Sequence, residues 1–398
     1  MGILLRKHYG DWMLTGIAKL AFILFFSSLS VALINTVWAI YLDGFFHNDA
    51  FVGFFSGFLS LLTFLSFFFF VPLIEKSNKI YLYSAVTIST AFLYLLFSIN
   101  KSFVFFVILS IAVTLLASIR VTVGGILVKD KSGKKSLSEN EGFVYSLVNV
   151  AWVVGPLIAG LILFSFGVSY VFLSSAFLLF LAFILFRFSK IHDGNISKRY
   201  HNNVFGNFLD YFKDKERVIS YLVSMGVSFW WALIYLYIPL FMIENGLKVS
   251  LIGVFLFAIA FPLIILEYPF SKLAAKHGSK KFFMIGYFIV FLVSLLAFFA
   301  GNIYIILGLL VFGSIGMAML EPTTETYFFK ILKNQKQGDR FYGPYNTSVE
   351  AGLIVGKLCS AVVLLFLSFE YIFLLFSGFM FLLFLISIKA RNVVEKRV

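Results

Sequence analysis

The chain alternates between long apolar segments and short polar connections along almost its whole length. Twelve apolar segments have roughly the 20 residues that an α helix needs to cross the hydrocarbon core of a bilayer. The pattern predicts an all-α membrane protein with twelve transmembrane helices, spans 1 to 12 in chain order. The predicted spans are residues 16–42, 50–74, 80–99, 102–126, 142–165, 168–186, 219–241, 249–270, 281–299, 303–327, 343–367 and 370–388.

Basic residues divide unequally between the two ends of these spans. With the N-terminus inside, 27 of the 32 Lys and Arg residues lie in inner connections and tails, and only Lys101 and Lys248 lie outside. Cytoplasmic connections of membrane proteins are enriched in Lys and Arg. The sequence therefore predicts a multi-pass cell-membrane protein with both termini in the cytoplasm. We attribute the net charge of +13 to this topology and to contact with anionic membrane lipid, and we expect no nucleic-acid partner.

The longest polar stretch divides the chain into two sets of six spans. We expect an N-terminal bundle at 1–186, a cytoplasmic linker at 187–217 and a C-terminal bundle at 218–398. Apolar residues recur at helical spacing within the linker, which predicts a short amphipathic helix on the inner membrane surface. A disordered linker is the alternative. The apolar face of the helix would consist of Val204, Phe205, Phe208, Leu209 and Phe212.

The two sets of spans are similar to each other in sequence. Lys76, after span 2, has its counterpart 200 positions later in Lys276, after span 8. The start of span 5, residues 145–155, also parallels residues 345–356 in span 11. Many transporters are built from a duplicated six-helix unit. The repeat therefore predicts two pseudo-symmetric six-helix bundles.

The repeated inner loops resemble those of the major facilitator superfamily. The signature of that family runs roughly Gly-x-Leu-Ala-Asp-Arg-x-Gly-Arg-Arg, and residues 71–79 and 271–281 match its spacing. Val71 and Ser271 stand in place of the first Gly, and Glu75 stands in place of the Asp. The match in spacing is thus better than the match in identity.

Two further segments are similar to motifs of the same superfamily. Arg120 and Gly124 in span 4 resemble its Arg-x-x-Gln-Gly element, and residues 155–160 in span 5 resemble the Gly-Pro-x-x-Gly-Gly element of its drug/proton antiporters. The resemblance implies a monomer with a small-molecule substrate. It also implies that spans 1, 4, 7 and 10 line a central cavity, that spans 2, 5, 8 and 11 lie between the bundles, and that the others face lipid.

Charged residues inside the predicted spans are unevenly distributed. A charge that faces lipid costs at least about 2.5 kcal/mol, so charged spans should turn their polar side chains inward. Apart from Lys281 and Glu370, the first residues of spans 9 and 12, spans 3, 6, 9 and 12 contain no charge, which agrees with a lipid-facing position. The intramembrane charges are Lys19, Arg120, Glu267, Glu321, Glu350 and Lys357.

Several of these charges, together with amide and aromatic side chains at the same depth, are candidates for substrate binding. Arg120 and Glu321 occupy similar places in spans 4 and 10 and would present opposite charges across the cavity. Arg120 could instead extend to the inner surface, and the aromatic residues could simply pack together. The candidate substrate-binding residues are Asn35, Trp38, Arg120, Asn149, Trp152, Trp230, Tyr235, Glu321 and Lys357.

Proton coupling and gating have candidates of their own. Glu321 and Glu350 are carboxyl groups that could bind and release a proton within the membrane. Glu350 and Lys357 are two helical turns apart on one face of span 11, so a fixed structural ion pair is an alternative for them. For gating we select residues at the inner loops and at the predicted bend of span 5. The candidate gating residues are Glu75, Lys76, Gly155, Pro156, Lys276 and Gly278.

These observations favour a secondary active transporter that works by alternating access. The sequence has no nucleotide-binding loop, and neither Gly-x-Ser-x-Gly nor His-Glu-x-x-His occurs, so we expect neither an enzyme nor a cofactor. The antiporter-like element of span 5 favours proton-coupled efflux of a small amphipathic molecule. One alternative is a symporter or facilitator that imports a small nutrient or an organic anion. Another is a non-transporting membrane receptor or scaffold.

Overall fold

The computed structural model describes residues 16–132, 137–189, 191 and 203–394. These residues form twelve helices of membrane-spanning length and one short helix, and no strand occurs among them. The helices are α1 (Gly16–Phe46), α2 (Asp49–Lys76), α3 (Lys79–Ile99), α4 (Phe103–Lys131), α5 (Leu137–Phe166), α6 (Val168–Phe188), α7 (Val204–Tyr211), α8 (Lys215–Glu244), α9 (Ser250–His277), α10 (Ser279–Phe299), α11 (Ile303–Ile331), α12 (Gln335–Phe366) and α13 (Glu370–Ile388).

The twelve predicted spans are confirmed, and spans 7 to 12 correspond to α8 to α13. Several helices extend beyond the predicted spans on the side of the protein where the two chain termini lie. Polar residues continue the helix there, outside the apolar segment. For example, α12 begins at Gln335, where the side chain of Asn334 caps the helix by accepting from the Gln337 amide at 3.0 Å. In turn, α9 ends at His277 because Gly278 has a φ of +96°, a conformation that favours glycine.

The helices pack as two groups of six that meet along two pairs of helices. In the N-terminal half, α1 packs against α5 and α6, and α3 packs against α4 and α6. In the C-terminal half, α8 packs against α12, and α10 packs against α11 and α13. The principal contacts between the halves join α2 to α12 and α5 to α9. Six-helix halves that meet along these helices are the arrangement expected for the major facilitator fold.

Small residues bring the two halves together at the end of the protein away from the termini, here called the closed end. Gly160 of α5 and Gly253 of α9 are so close that a Cβ atom on Gly253 would lie 3.0 Å from the Cα atom of Gly160. Gly53 of α2 similarly faces Tyr237 of α8 and Ala361 of α12. Because these residues lie near the same ends of their helices, the halves are in close contact there.

Helix α8 changes its winding within the membrane. Residues Leu233–Tyr237 form a π-helical segment between two α-helical parts, and the Ile238 amide donates to the Leu233 carbonyl, five residues earlier. Helix α1 contacts α8 mainly through this segment and the turns that follow it. Short π-helical segments frequently occur at functional sites. The segment therefore favours a functional site in this part of α8.

The short helix α7 bridges the two halves near the termini. Arg340 at the start of α12 forms an ion pair with Asp210 and donates to the Asn207 side chain at 2.7 Å. On the other side, the ring of Phe208 lies 5.2 Å from that of Phe68 on α2. Phe205, which shares the predicted apolar face, is 63% exposed. An exposed apolar face suits a helix that lies on a membrane surface.

Candidate functional site

Aromatic side chains from both halves meet near the π-helical segment of α8. The ring of Trp152 on α5 lies 6.0 Å from the ring of Tyr235, edge-to-face at 68°. Trp231, one turn before Tyr235 on α8, lies 5.4 Å from the same ring. All three side chains are half-buried. The structure thus brings together Trp152 and Tyr235, two of the predicted substrate-binding residues.

Two carboxyl groups adjoin these aromatic rings. The indole N–H of Trp231 donates to Oε1 of Glu321 on α11. The carboxyl group of Glu267 on α9 is within hydrogen-bonding reach of Glu321. A hydrogen bond between two carboxyl groups requires a proton on one of them. Glu267, Glu321, Trp152, Trp231 and Tyr235 are called the aromatic-carboxyl site below.

The aromatic-carboxyl site contains no basic residue. No Lys, Arg or His among the described residues interacts with Glu267 or Glu321. Glu325, one turn further along α11, is turned towards α12, where the Tyr342 hydroxyl donates to it at 2.9 Å. Tyr235 is the other titratable group that interacts with Glu321. The negative charge of Glu267 and Glu321 can therefore be neutralised only by protons or by a ligand.

Lys357 lies between the halves at a different place. Its ammonium group donates to the Ser60 hydroxyl of α2 at 2.9 Å, and its carbonyl accepts from the Tyr237 hydroxyl. Glu350 interacts electrostatically with Lys357, but within the described part of the chain no direct ion pair joins them. The predicted alternative of a fixed ion pair is therefore replaced by a hydrogen bond to the other half of the protein.

Arg120 is placed inside the N-terminal half and not opposite Glu321. Its side chain is 97% buried, and it interacts with Tyr94 and Tyr83 of α3. Among the described residues, Arg120 makes no ion pair with a carboxylate. The expected pair of opposite charges across the cavity is absent from this conformation, because Arg120 is directed at α3.

Other predicted substrate-binding residues also lie apart from the aromatic-carboxyl site. Trp230 is fully buried in the C-terminal half against Gly313 of α11. Trp38 stacks on Tyr41 within the N-terminal half, with ring centroids 6.2 Å apart. Asn35 is half-buried on α1. Asn149 is exposed on α5, one turn before Trp152.

The predicted gating residues fall into two groups. Gly155 packs against Ala32 of α1 within one half, where a Cβ atom would lie 2.5 Å from the Ala32 Cβ. Pro156 instead faces the other half, with its carbonyl oxygen 2.3 Å from the position of a Cβ atom on Gly253. Helix α5 continues through Pro156 without interruption. The contact between the halves at this point is thus made by Pro156, Gly160 and Gly253.

The inner-loop residues are at the ends of α2 and α9. Lys76 and Lys276 are exposed in the last turns of these helices. Gly278 lies against the chain after α13, where a Cβ atom would be 1.9 Å from Oδ1 of Asn392. The side chain of Glu75 lies outside the described residues. Lys76, Lys276 and Gly278 thus lie at helix ends, apart from the aromatic-carboxyl site.

A comparison with protein families agrees with this architecture. The family model of the Major Facilitator Superfamily matches residues 20–265 and 220–397, which together include nearly the whole chain. The chain belongs to this superfamily. It is therefore a multi-pass membrane transporter of the major facilitator kind.

The similarity to individual proteins is more distant. An uncharacterized MFS-type transporter from Methanocaldococcus jannaschii is 22% identical over 260 residues, which are 64% of this chain and 66% of the relative, slightly under two thirds of its length. A bacterial homologue of the human lysosomal transporter Spinster, in an inward-facing and unoccupied conformation, has a TM-score of 0.73 at 14% identity, over 95% of this chain and 98% of that chain.

Two further solved structures have the same fold. The nucleoside transporter NupG has a TM-score of 0.75 at 12% identity, over 95% of this chain and 100% of that chain. A bacterial homologue of the iron transporter ferroportin, in an inward-facing state, has a TM-score of 0.73 at 13% identity, over 94% of this chain and 98% of that chain. At such low identity the similarity shows the fold of this transporter and not its substrate.

Two residues of the aromatic-carboxyl site are missing from the predicted site. Trp231 is adjacent to the selected Trp230, and its spacing of four residues from Tyr235 places both on one helix face. Glu267 stands out in the sequence as an intramembrane charge, but its position there indicates no role. No helical spacing in the sequence connects Glu267 to Glu321, because Glu321 belongs to another helix. The helical spacing could have identified Trp231, whereas Glu267 required the tertiary structure.

Proposed function

We propose that this protein is a secondary transporter that exports a small amphipathic molecule in exchange for protons. The observation that supports this function is the carboxyl pair Glu267 and Glu321, placed beside aromatic side chains from both halves. Such a site combines an apolar surface for a ligand with groups that can bind a proton. The proposal places the protein in the drug/proton antiporter-like branch, which the motif of span 5 resembles.

The carboxyl pair provides the proton step. A proton shared by Glu267 and Glu321 offsets part of the negative charge that the membrane interior disfavours. Loss of that proton leaves two carboxylates close together. Their mutual repulsion favours the binding of a substrate that reduces it. Exchange of a proton for a substrate follows if either can occupy the site. Glu350, near Lys357, is the second proposed proton carrier.

The packing of the halves supports alternating access. Part of the closed end is held by close contacts between small residues, such as Gly160 with Gly253. Lys357 and Ser60 add a single hydrogen bond between the halves. Contacts of this kind can separate as units when the halves rock. With both termini placed in the cytoplasm, the closed end would face the outside.

Transport by purified protein in liposomes tests the proposal. We expect an imposed pH gradient to accelerate the flux of labelled amphipathic compounds against the direction of proton movement. Glu321→Gln should abolish the effect of the gradient, whereas Glu325→Gln, a matched change one turn along α11, should retain it. Flux that ignores the gradient would contradict proton coupling. Accumulation in the direction of proton movement would instead identify an importer, the alternative given by the sequence.

A further inference from the structure

The aromatic-carboxyl site has a chemical character that indicates a class of ligand. Its walls are the rings of Trp152, Trp231 and Tyr235, and its polar groups are the carboxyls of Glu267 and Glu321. An aromatic face carries partial negative charge and attracts cations, most strongly when the cation is desolvated. Rings and carboxyls therefore favour the same sign of ligand charge.

The surroundings of the site reinforce this sign. The described basic residues of the membrane interior are directed elsewhere, with Arg120 against α3 and Lys357 on Ser60 of α2. An anion would meet two carboxyl groups with no basic residue to offset them. A neutral ligand would leave the repulsion between the carboxyls unchanged. A cation is the ligand class that both the rings and the carboxyls stabilise.

An organic cation fits the site better than a metal ion. Metal ions such as Mg²⁺ and Ca²⁺ require about six or more oxygen ligands. The side chains of the site offer four carboxyl oxygens and the Tyr235 hydroxyl, and one of the carboxyl oxygens, Oε1 of Glu321, already accepts from Trp231. Among the described residues, no group of three or more His, Cys, Asp or Glu side chains could hold a metal. The three rings instead suit an apolar ligand surface.

We propose that the substrate is an organic cation, which binds against Trp152, Trp231 and Tyr235 and replaces the proton held by Glu267 and Glu321. The inference rests on the proposed transport function for its coupling to protons, but binding can be measured without transport. Trp152 belongs to the N-terminal half and the other four residues belong to the C-terminal half. The bound cation therefore contacts both halves, so its binding can respond to their relative position.

Binding of two probes of matched shape and opposite charge tests this proposal. Purified full-length protein in detergent is dialysed at pH 8 against labelled tetraphenylphosphonium or, in a separate sample, tetraphenylborate. We expect saturable binding of the phosphonium cation only. Glu267→Gln with Glu321→Gln should weaken that binding by at least about tenfold, and Glu325→Gln should leave it unchanged. Equal binding of the borate anion, or unchanged cation binding by the double variant, would overturn the proposal.

The aromatic wall and the proton give two further readouts. Trp152→Ala should weaken cation binding by about two- to thirtyfold, and Trp152→Phe should restore most of it, since a ring attracts the cation through its face. This pair decides the question if the double glutamine variant does not fold. Binding by the wild type should weaken as the pH falls from 8 to 5, because protons occupy Glu267 and Glu321. Binding that strengthens at low pH would contradict the exchange.

Failure of this inference can be distinguished from failure of the proposed function. Saturable binding of tetraphenylphosphonium without any gradient-dependent flux in liposomes would reject proton-coupled transport and retain the cation site. Gradient-dependent flux of a neutral or anionic compound, in a protein that does not bind tetraphenylphosphonium, would reject the cation site alone.

Discussion

Replacing Gly253 with alanine is expected to open the closed end of the transporter. The new Cβ atom would lie 2.3 Å from the carbonyl oxygen of Pro156 and 3.0 Å from the Cα atom of Gly160. Ordinary contacts of a Cβ atom begin at 3.4 Å, and both obstructing atoms belong to the backbone. Helices α5 and α9 must therefore separate by about 1 Å to accept one methyl group.

The expected size of the effect follows from this overlap. Overpacking of a well-packed contact typically costs about 1–3 kcal/mol. In an alternating-access transporter the contact between α5 and α9 at the closed end is lost in the opposite conformation, so the cost falls on the closed conformation alone. A difference of about 1–3 kcal/mol shifts the ratio of two conformations by about 5- to 150-fold.

Thiol accessibility measures this shift in a background without the native cysteine. Cys359, the single cysteine of the chain, is replaced by serine, and Ala361 by cysteine. Ala361 is fully buried and packs against Gly53 of the other half, so a cysteine there should react slowly with a water-soluble thiosulfonate reagent. Gly253→Ala should raise the rate of reaction by about the same 5- to 150-fold.

Two matched glycine substitutions act as controls. Gly308→Ala on α11 adds a methyl group with no atom within 4 Å and should leave the rate unchanged. Gly352→Ala on α12 places a Cβ atom 2.2 Å from the Met225 carbonyl oxygen within the C-terminal half, so it should lower thermal stability more than it changes the rate at Ala361. An unchanged rate in Gly253→Ala, or an equal rise in all three variants, would refute the reasoning.

Two further substitutions test contacts between the halves and the linker helix. Ser60→Ala removes the hydroxyl that accepts from Lys357 at 2.9 Å. It should lower the free energy of unfolding by about 1.5–3 kcal/mol, measured by thermal melting in detergent. An unchanged melting temperature would contradict this role of Ser60. The hydrogen bond from Lys213 and the charge of Arg340 hold the pKa of Asp210 below its usual value. Helix α7 should therefore stay docked above the ordinary pKa of aspartate and detach as the pH falls through the lowered value. Limited proteolysis across this pH range should show earlier cleavage in Asp210→Asn than in the wild type, and equal cleavage would count against the ion pair.

The spans were predictable from sequence because the hydrocarbon thickness imposes a length on every helix that crosses it. The ends of α4 and α12 were less predictable, since polar residues continue a helix beyond the bilayer when a capping side chain or favourable charges are available. Lys129 and Lys131 lie in the last turn of α4, where basic residues are favoured. Asn334 caps α12 eight residues before the end of the polar stretch.

The candidate site was only partly predictable, because the spans are apolar on nearly every side and their composition does not show which side faces the cavity. Trp230 and Trp231 illustrate the problem, since neighbouring residues of one helix differ by about 100° in direction. Trp230 is buried in its own half, and Trp231 contacts Glu321. Arg120 was expected at the cavity for its charge, but tyrosines of α3 provide polar partners inside the bundle.

The π-helical segment Leu233–Tyr237 makes α8 different from the other spans, which are α-helical throughout their described lengths. The π-helical turn contains one residue more than an α-helical turn. The extra residue could pass to a neighbouring turn by a sequential exchange of backbone hydrogen bonds. Such a transfer would rotate the part of α8 beyond the segment, Ile238–Glu244, about the helix axis without unwinding it. Tyr235 lies inside the segment, so such a rotation would reorient its ring relative to Trp152 while the preceding part of α8, Lys215–Ala232, stayed in place.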